Sequence, residues 1–184
     1  MYKRQVFNAY TDADGWAVWA TDGTPQGTVL LKRMANAPYA FVRVGNRALF
    51  AGPTVFSIWS LWRTDGTVPG TKPFKSMFLS TVFPARTASL NGEIYFGGRL
   101  GGSDTELWKT DGTEAGTVLV KDIQPGSGGS EPENAIRVGD FIYFSADDGV
   151  TGRELWRSDG TEAGTVRLTD LNACLLYTSP SPRD

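Results

Sequence analysis

The sequence predicts an all-β fold, a β-propeller-like array of four-stranded antiparallel blades with about 3.5 blades present. Three observations carry this expectation. One motif recurs four times, as VWATDGTPQGT (18–28), SLWRTDGTVPGT (60–71), ELWKTDGTEAGT (106–117) and ELWRSDGTEAGT (154–165). Aligned on Trp19, Trp62, Trp108 and Trp156, the copies lie 43, 46 and 48 residues apart. Recurrence at about 40–50 residues marks a propeller or a solenoid. Apolar runs between the copies are short and closed by Asn-Gly or Gly-Asp, which tolerate positive φ and favour hairpins. No stretch of about 11 residues or more has helical periodicity.

The elements follow in order. The opening repeat offers VFNAYT (6–11) and AVWATD (17–22) as a pair, with TVLLKRM (28–34) expected at the edge of the next blade. The Trp62 repeat continues with a blade of its own. The next contributes ARTASL (85–90), a turn at Asn91-Gly92, EIYFGG (93–98), TELWKT (105–110) and TVLVKDI (117–123). The last contributes NAIRVG (134–139), FIYFSA (141–146), RELWRS (153–158) and TVRLTDL (165–171). The count is about 14 strands, one pair followed by three meanders of a blade's size.

The motif residues read mechanically. Asp22, Asp65, Asp111 and Asp159 end the third strand of each repeat, where a carboxylate accepts the backbone N–H two residues on. Gly23, Gly66, Gly112 and Gly160 supply the positive φ of the turn. Thr24, Thr67, Thr113 and Thr161 bond local backbone through their hydroxyls. The four motif tryptophans fill the space between blades packed about 10 Å apart.

The two ends break the pattern. MYKRQ (1–5) and CLLYTSPSPRD (174–184) share nothing with the repeat and resemble translated sequencing-adapter sequence, the two strands of one inverted element. The repeat segment is therefore expected at 6–173, between adapter-derived ends. The chain holds 18 basic and 20 acidic residues. Without Lys3, Arg4, Arg183 and Asp184 the counts are 15 and 19, a net charge of −4. That balance argues against nucleic acid as a partner. No apolar run approaches the ~18 residues of a membrane span.

ELWRSDGTEAGTVRLTDL (154–171) strongly resembles the bacterial ELWxxDGTxxGT repeat of large secreted or cell-surface proteins, some described as hyalin-like. The resemblance runs through the whole repeat segment. It loosens at Ser60, which stands in the place of Glu, and at Ala17-Val18, which replaces Glu-Leu. It implies an extracellular or cell-surface location and a non-catalytic scaffold for adhesion or for binding a protein or glycan. A second resemblance, DDGVTGRELW (147–156), is to the D-x-x-T-G-x-x-x-W docking pattern of quinoprotein propellers. One of the four copies carries the Thr-Gly, so this likeness reads as convergence on blade mechanics. The alternative function is a fragment of a propeller enzyme, polysaccharide-active or quinoprotein-like, with its active site in missing blades.

The composition disfavours catalysis within the segment. The chain has no histidine, and its one cysteine is Cys174, so a Ser-His-Asp triad and a thiolate or imidazole zinc site are excluded there. No cofactor is expected, with calcium the candidate metal. Asp12 and Asp14, and Asp147 and Asp148, place oxygen ligands beside a glycine, as hard cations require. Trp16 and Trp59 each lie three residues before a motif tryptophan, on the opposite face of the strand. Thr105 and Arg153 stand there in the other repeats. Core packing and a platform for sugar rings are both open for this pair.

Overall fold

A computed structural model describes residues 4–54, 59–79, 87–101 and 104–171. Among them every regular element is a strand, and the strands form four antiparallel sheets. The first holds β1 (Gln5–Thr11), β2 (Gly15–Thr21) and β3 (Val29–Arg33) in that order. The second holds β4 (Tyr39–Val44), β5 (Arg47–Pro53), β6 (Trp59–Thr64) and β7 (Lys72–Ser76). In the third, β8 (Phe78–Leu79) and β9 (Ala88–Leu90) pair successive parts of β10 (Glu93–Arg99). β11 (Glu106–Thr110) and β12 (Val118–Lys121) complete that sheet. The fourth holds β13 (Glu133–Val138), β14 (Phe141–Asp147), β15 (Arg153–Ser158) and β16 (Val166–Arg167).

The hairpins form where the turn chemistry allows. Asn91 and Gly92 both adopt positive φ, 53° and 81°, the primed geometry that matches strand twist. Two irregularities recur. The first strand of a blade slips register near a non-glycine residue of positive φ, Ala40 in β4 and Asn134 in β13. The last strand slips beside the motif tryptophan, at Val18/Trp19, Leu61/Trp62 and Leu107/Trp108. Such bulges increase local twist.

The opening sheet departs from expectation. TVLLKRM does not leave for the next blade. Val29–Arg33 pairs with β2, Leu30 opposite Trp19. The D-G-T turn reverses the chain here as in every other repeat, so the following strand returns to its own sheet. β1 begins one residue before the expected start of the repeat segment at 6. Gln5 opens β1 opposite Thr21, because a backbone ladder can extend whatever the side chain. Of the two ends, 1–3 and 172–184 lie outside the described residues.

Three cores hold the array, each between successive sheets. Val18, Ala20 and Leu31 pack with Phe50 and Trp62. Leu49 and Leu61 pack with Ile94, Phe96 and Trp108. Leu90, Tyr95 and Leu107 pack with Ile142, Phe144 and Trp156. Trp62, Trp108 and Trp156 thus each fill the gap to the preceding sheet. Trp19 is only half-buried, because its face of the first sheet points away from the second.

Candidate functional site

The D-G-T turns are the most regular polar feature of the fold. Asp111 Oδ1 accepts the Thr113 N–H at 2.8 Å and the Thr113 hydroxyl at 2.7 Å. Thr113 Oγ1 accepts the Gly116 N–H at 2.9 Å. The Gly112 N–H donates to the Thr110 hydroxyl at 3.0 Å. Thr110 and Thr117 share a bond at 2.7 Å, and the Thr117 hydroxyl donates to the Thr113 carbonyl at 2.6 Å. The last three bonds form a chain with one proton direction, Gly112 to Thr110 to Thr117 to the Thr113 carbonyl, which favours cooperative strengthening. The same six bonds close around Asp22, Asp65 and Asp159. Bonds from the Thr hydroxyl two residues on hold all four carboxyls below the usual aspartate range.

Two further positions shape this turn. Thr21, Thr64, Thr110 and Ser158, just before each Asp, supply the hydroxyl that receives the glycine N–H. At Gly27, Gly70, Gly116 and Gly164 the aspartate carboxylate occupies the space a Cβ would take. Both positions recur in the motif, so their signal was present; the bond and the clash were not.

The turns also join neighbouring blades. Arg4 Nη1 donates to the Gly66 carbonyl at 2.9 Å, and Arg63 Nη1 to the Gly112 carbonyl at 3.0 Å. Lys121 Nζ donates to the Thr165 carbonyl at 3.0 Å. A Cβ on Gly112 would meet Leu49, and one on Gly160 would meet the Tyr95 hydroxyl. Burial, and then a bond to Glu93, push the Tyr95 hydroxyl well above the ordinary phenol value.

The Glu of E-L-W clamps the chain beyond its blade. Glu106 is buried and accepts the backbone N–H groups of Ile123 at 2.8 Å, Gln124 at 3.4 Å and Ser130 at 3.0 Å. It also accepts the Ser130 hydroxyl at 2.6 Å. Burial raises its carboxyl above the usual glutamate value, and these donors only partly offset that. Glu154 accepts the Thr169 hydroxyl at 2.5 Å and the Leu171 N–H at 2.8 Å.

The tryptophans singled out as ligand candidates divide. Trp16 sits at the β1–β2 hairpin edge-on to Tyr10, ring centroids 5.5 Å apart. Both are open to solvent, Trp16 by 37% and Tyr10 by 59%. Trp59 is half-buried against Tyr39, centroids 5.1 Å apart, and packs on the core between the second and third sheets. The two pairs lie on different sheets and do not form one platform. The acidic candidates are engaged locally. Asp14 pairs with Arg33 and its N–H donates to the Thr11 hydroxyl. Asp147 accepts the Gly149 N–H at 2.8 Å. Asp148 accepts the Val150 and Thr151 N–H groups and pairs with Arg167 at 2.9 Å. Burial alone would raise the Asp148 carboxyl, but these partners hold it low. Asp12 is exposed on the first hairpin. Among the described residues no three acidic, histidine or cysteine side chains converge on one point. The D-x-x-T-G stretch is thus a second capped turn, between β14 and β15.

A cavity of about 630 Å³ opens between the first two sheets, lined by Arg4, Phe41, Arg43, Asn46, Arg47 and the Asp65-Gly66 turn, among others. Its rim is basic. No described helix is long and apolar enough to cross a membrane.

No family model matches the chain, and no curated protein does. Solved structures match its shape. The β-propeller domain of the Trilobed protease from Pyrococcus furiosus is similar with a TM-score of 0.58 at 18% identity, over 92% of this chain and 52% of that one. TolB from Acinetobacter baumannii gives 0.53 at 12% identity, over 90% and 41%. A puromycin-hydrolyzing peptidase from Mycobacterium tuberculosis gives 0.57 at 12% identity, over 91% and 27%. The chain spans from about a quarter to about half of these structures. The meander sheets, the cores between them and these likenesses together make the fold an array of β-propeller blades.

Proposed function

We propose that the chain is a non-catalytic binding scaffold of a secreted or cell-surface protein, and that the Tyr10–Trp16 edge is its ligand-facing surface. The observation that supports this is the exposure of two aromatic rings in contact at a hairpin tip. Edge-to-face aromatics with open faces stack well on the apolar face of a sugar ring or on a partner's side chains. The location rests on the resemblance of E-L-W-R-S-D-G-T-E-A-G-T to secreted bacterial repeats. The polar groups of the repeat itself bond to one another, which leaves the turns structural.

The test is titration of the wild-type chain and a Trp16→Ala variant with a panel of neutral and acidic oligosaccharides. Saturable binding by the wild type, lost in the variant without a change in melting temperature, is the expected result. Binding that survives the substitution, or no binding at all, overturns the reading. A second reading is a propeller attached to hydrolase domains, supported by the peptidases among the similar structures. Hydrolysis of peptide or polysaccharide substrates by a protein that joins these blades to a further domain, with none by these blades alone, would favour it.

A further inference from the structure

Every internal joint of the array has two dissimilar halves. One half is a socket on the second and third strands of a blade. Leu49 and Leu61 form it in the second sheet, Tyr95 and Leu107 in the third, and all four are buried. The other half is a plug on the next blade, a Phe–Trp cross-strand pair with the glycine of its D-G-T turn. Phe50 faces Trp62, Phe96 faces Trp108 and Phe144 faces Trp156 in register, and all six are buried.

Among the described residues each half also occurs once without a mate. The fourth sheet places Tyr143 and Leu155 at the socket positions. Leu155 is 41% exposed, whereas Leu61 and Leu107 are 0% and 1%. Ile136 and Val138 widen this apolar face and are exposed. Arg157 stands at the register position of Arg63, whose Nη1 reaches the next turn's carbonyl. The Arg157 guanidinium lies over the Phe141 ring at 4.4 Å, and among the described residues its buried Nε has no hydrogen-bond partner. The first sheet carries the free plug. Phe7 faces Trp19 in register, both only half-buried, and a Cβ on Gly23 would meet nothing within 4 Å.

We propose that the 184-residue chain binds a second copy of itself head to tail, the Phe7–Trp19–Gly23 edge of one seating on the Tyr143–Leu155–Arg157 face of the other. Each socket that is filled holds a Trp-bearing blade edge, and among the described residues one such edge is left uncovered. The contact is heterologous, so a single contact leaves one plug and one socket open. Two copies of four sheets bring eight blades, and closed propellers hold about 4–8. The second contact therefore closes a ring of two chains.

Sedimentation velocity of the whole chain across a concentration series tests this, with one variant for each half. Leu155→Asp disables the socket and Phe7→Asp the plug. The wild type is expected as a dimer, and each variant alone as a monomer. An equimolar mixture of the two variants is expected to restore a one-to-one dimer, through the intact plug of the first and the intact socket of the second. A symmetric contact or unspecific adhesion would not be restored by mixing. Near-ultraviolet circular dichroism checks that each variant is folded. Val138→Lys and Leu30→Lys repeat the experiment should either aspartate variant unfold. A wild type that stays monomeric at every concentration, a variant that still dimerises, or a mixture that stays monomeric overturns the proposal.

Discussion

Gly116 shows how little freedom the repeat leaves at single positions. Its Cα faces the Asp111 carboxylate so closely that a methyl group and the carboxylate cannot coexist. Gly116→Ala is expected to lower unfolding stability by about 1–3 kcal/mol, the usual cost of forcing a side chain off its position. Urea denaturation checks it. If the clash is the cause, adding Asp111→Ala makes the pair of effects fall well short of additive, as for groups in contact. Additive effects would mean that Gly116 acts otherwise. The four turn aspartates also set an acid limit. Each has a folded pKa below its unfolded value, led by the Thr hydroxyl bond. Their contribution is therefore present above the unfolded value of about 3.9 and is lost as pH falls through the folded values. Glu106 has the opposite sign. Its raised carboxyl contributes fully below about pH 4.3 and less as pH rises through its folded value. Asp111→Asn should flatten the acid limb of the stability curve, whereas Glu106→Gln should leave that limb in place. An unchanged acid limb in Asp111→Asn would sink the assignment.

At the scale of elements, the connection from β12 to β13 hangs on Glu106. Four donors from Ile123, Gln124 and Ser130 converge on its two oxygens. Glu106→Gln replaces one acceptor by a donor that faces donors. The expected cost is about 1–3 kcal/mol, that of a buried polar group left unmatched. Faster hydrogen exchange at 123–130 than in β10 and β11 would locate the damage. Uniform exchange across the third sheet would deny the clamp. This element was the least legible in the sequence. Glu precedes Leu-Trp in only two of the four repeats, at Glu106 and Glu154. Its partners lie 17 to 24 residues away in a connection that does not recur. The strands, the Asn91-Gly92 turn and the Trp–Asp–Gly–Thr geometry were legible, because each depends on residues adjacent in sequence and recurs in register. The third strand of the opening sheet, Val29–Arg33, was misplaced because its pairing depends on the turn before it and not on its own pattern. The Tyr39–Trp59 contact was hidden for a related reason, since it joins strands that are not neighbours in their sheet.

For the whole molecule, stability resides in the joints. Trp108 closes the core between the second and third sheets with Leu49, Leu61 and Phe96. Trp108→Ala is expected to cost about 3–5 kcal/mol, a large part of the roughly 5–15 kcal/mol that holds a typical domain together. Trp19→Ala, on a half-buried face of the first sheet, should cost markedly less when the chain is monomeric. Thermal unfolding of the two variants compares them directly, and equal losses would remove the inter-blade role of the tryptophan.

The plug and socket belong to the same repeat, one on each of its faces. A duplicated repeat therefore arrives with both halves of its joint already made, and it fits beside its parent without any compensating change. Loss of a repeat heals in the same way. Chain length can then drift by whole units during descent while the joint chemistry stays fixed. The near-identity of the Trp108 and Trp156 copies, beside the looser Trp19 copy, is the trace that such growth by copying would leave.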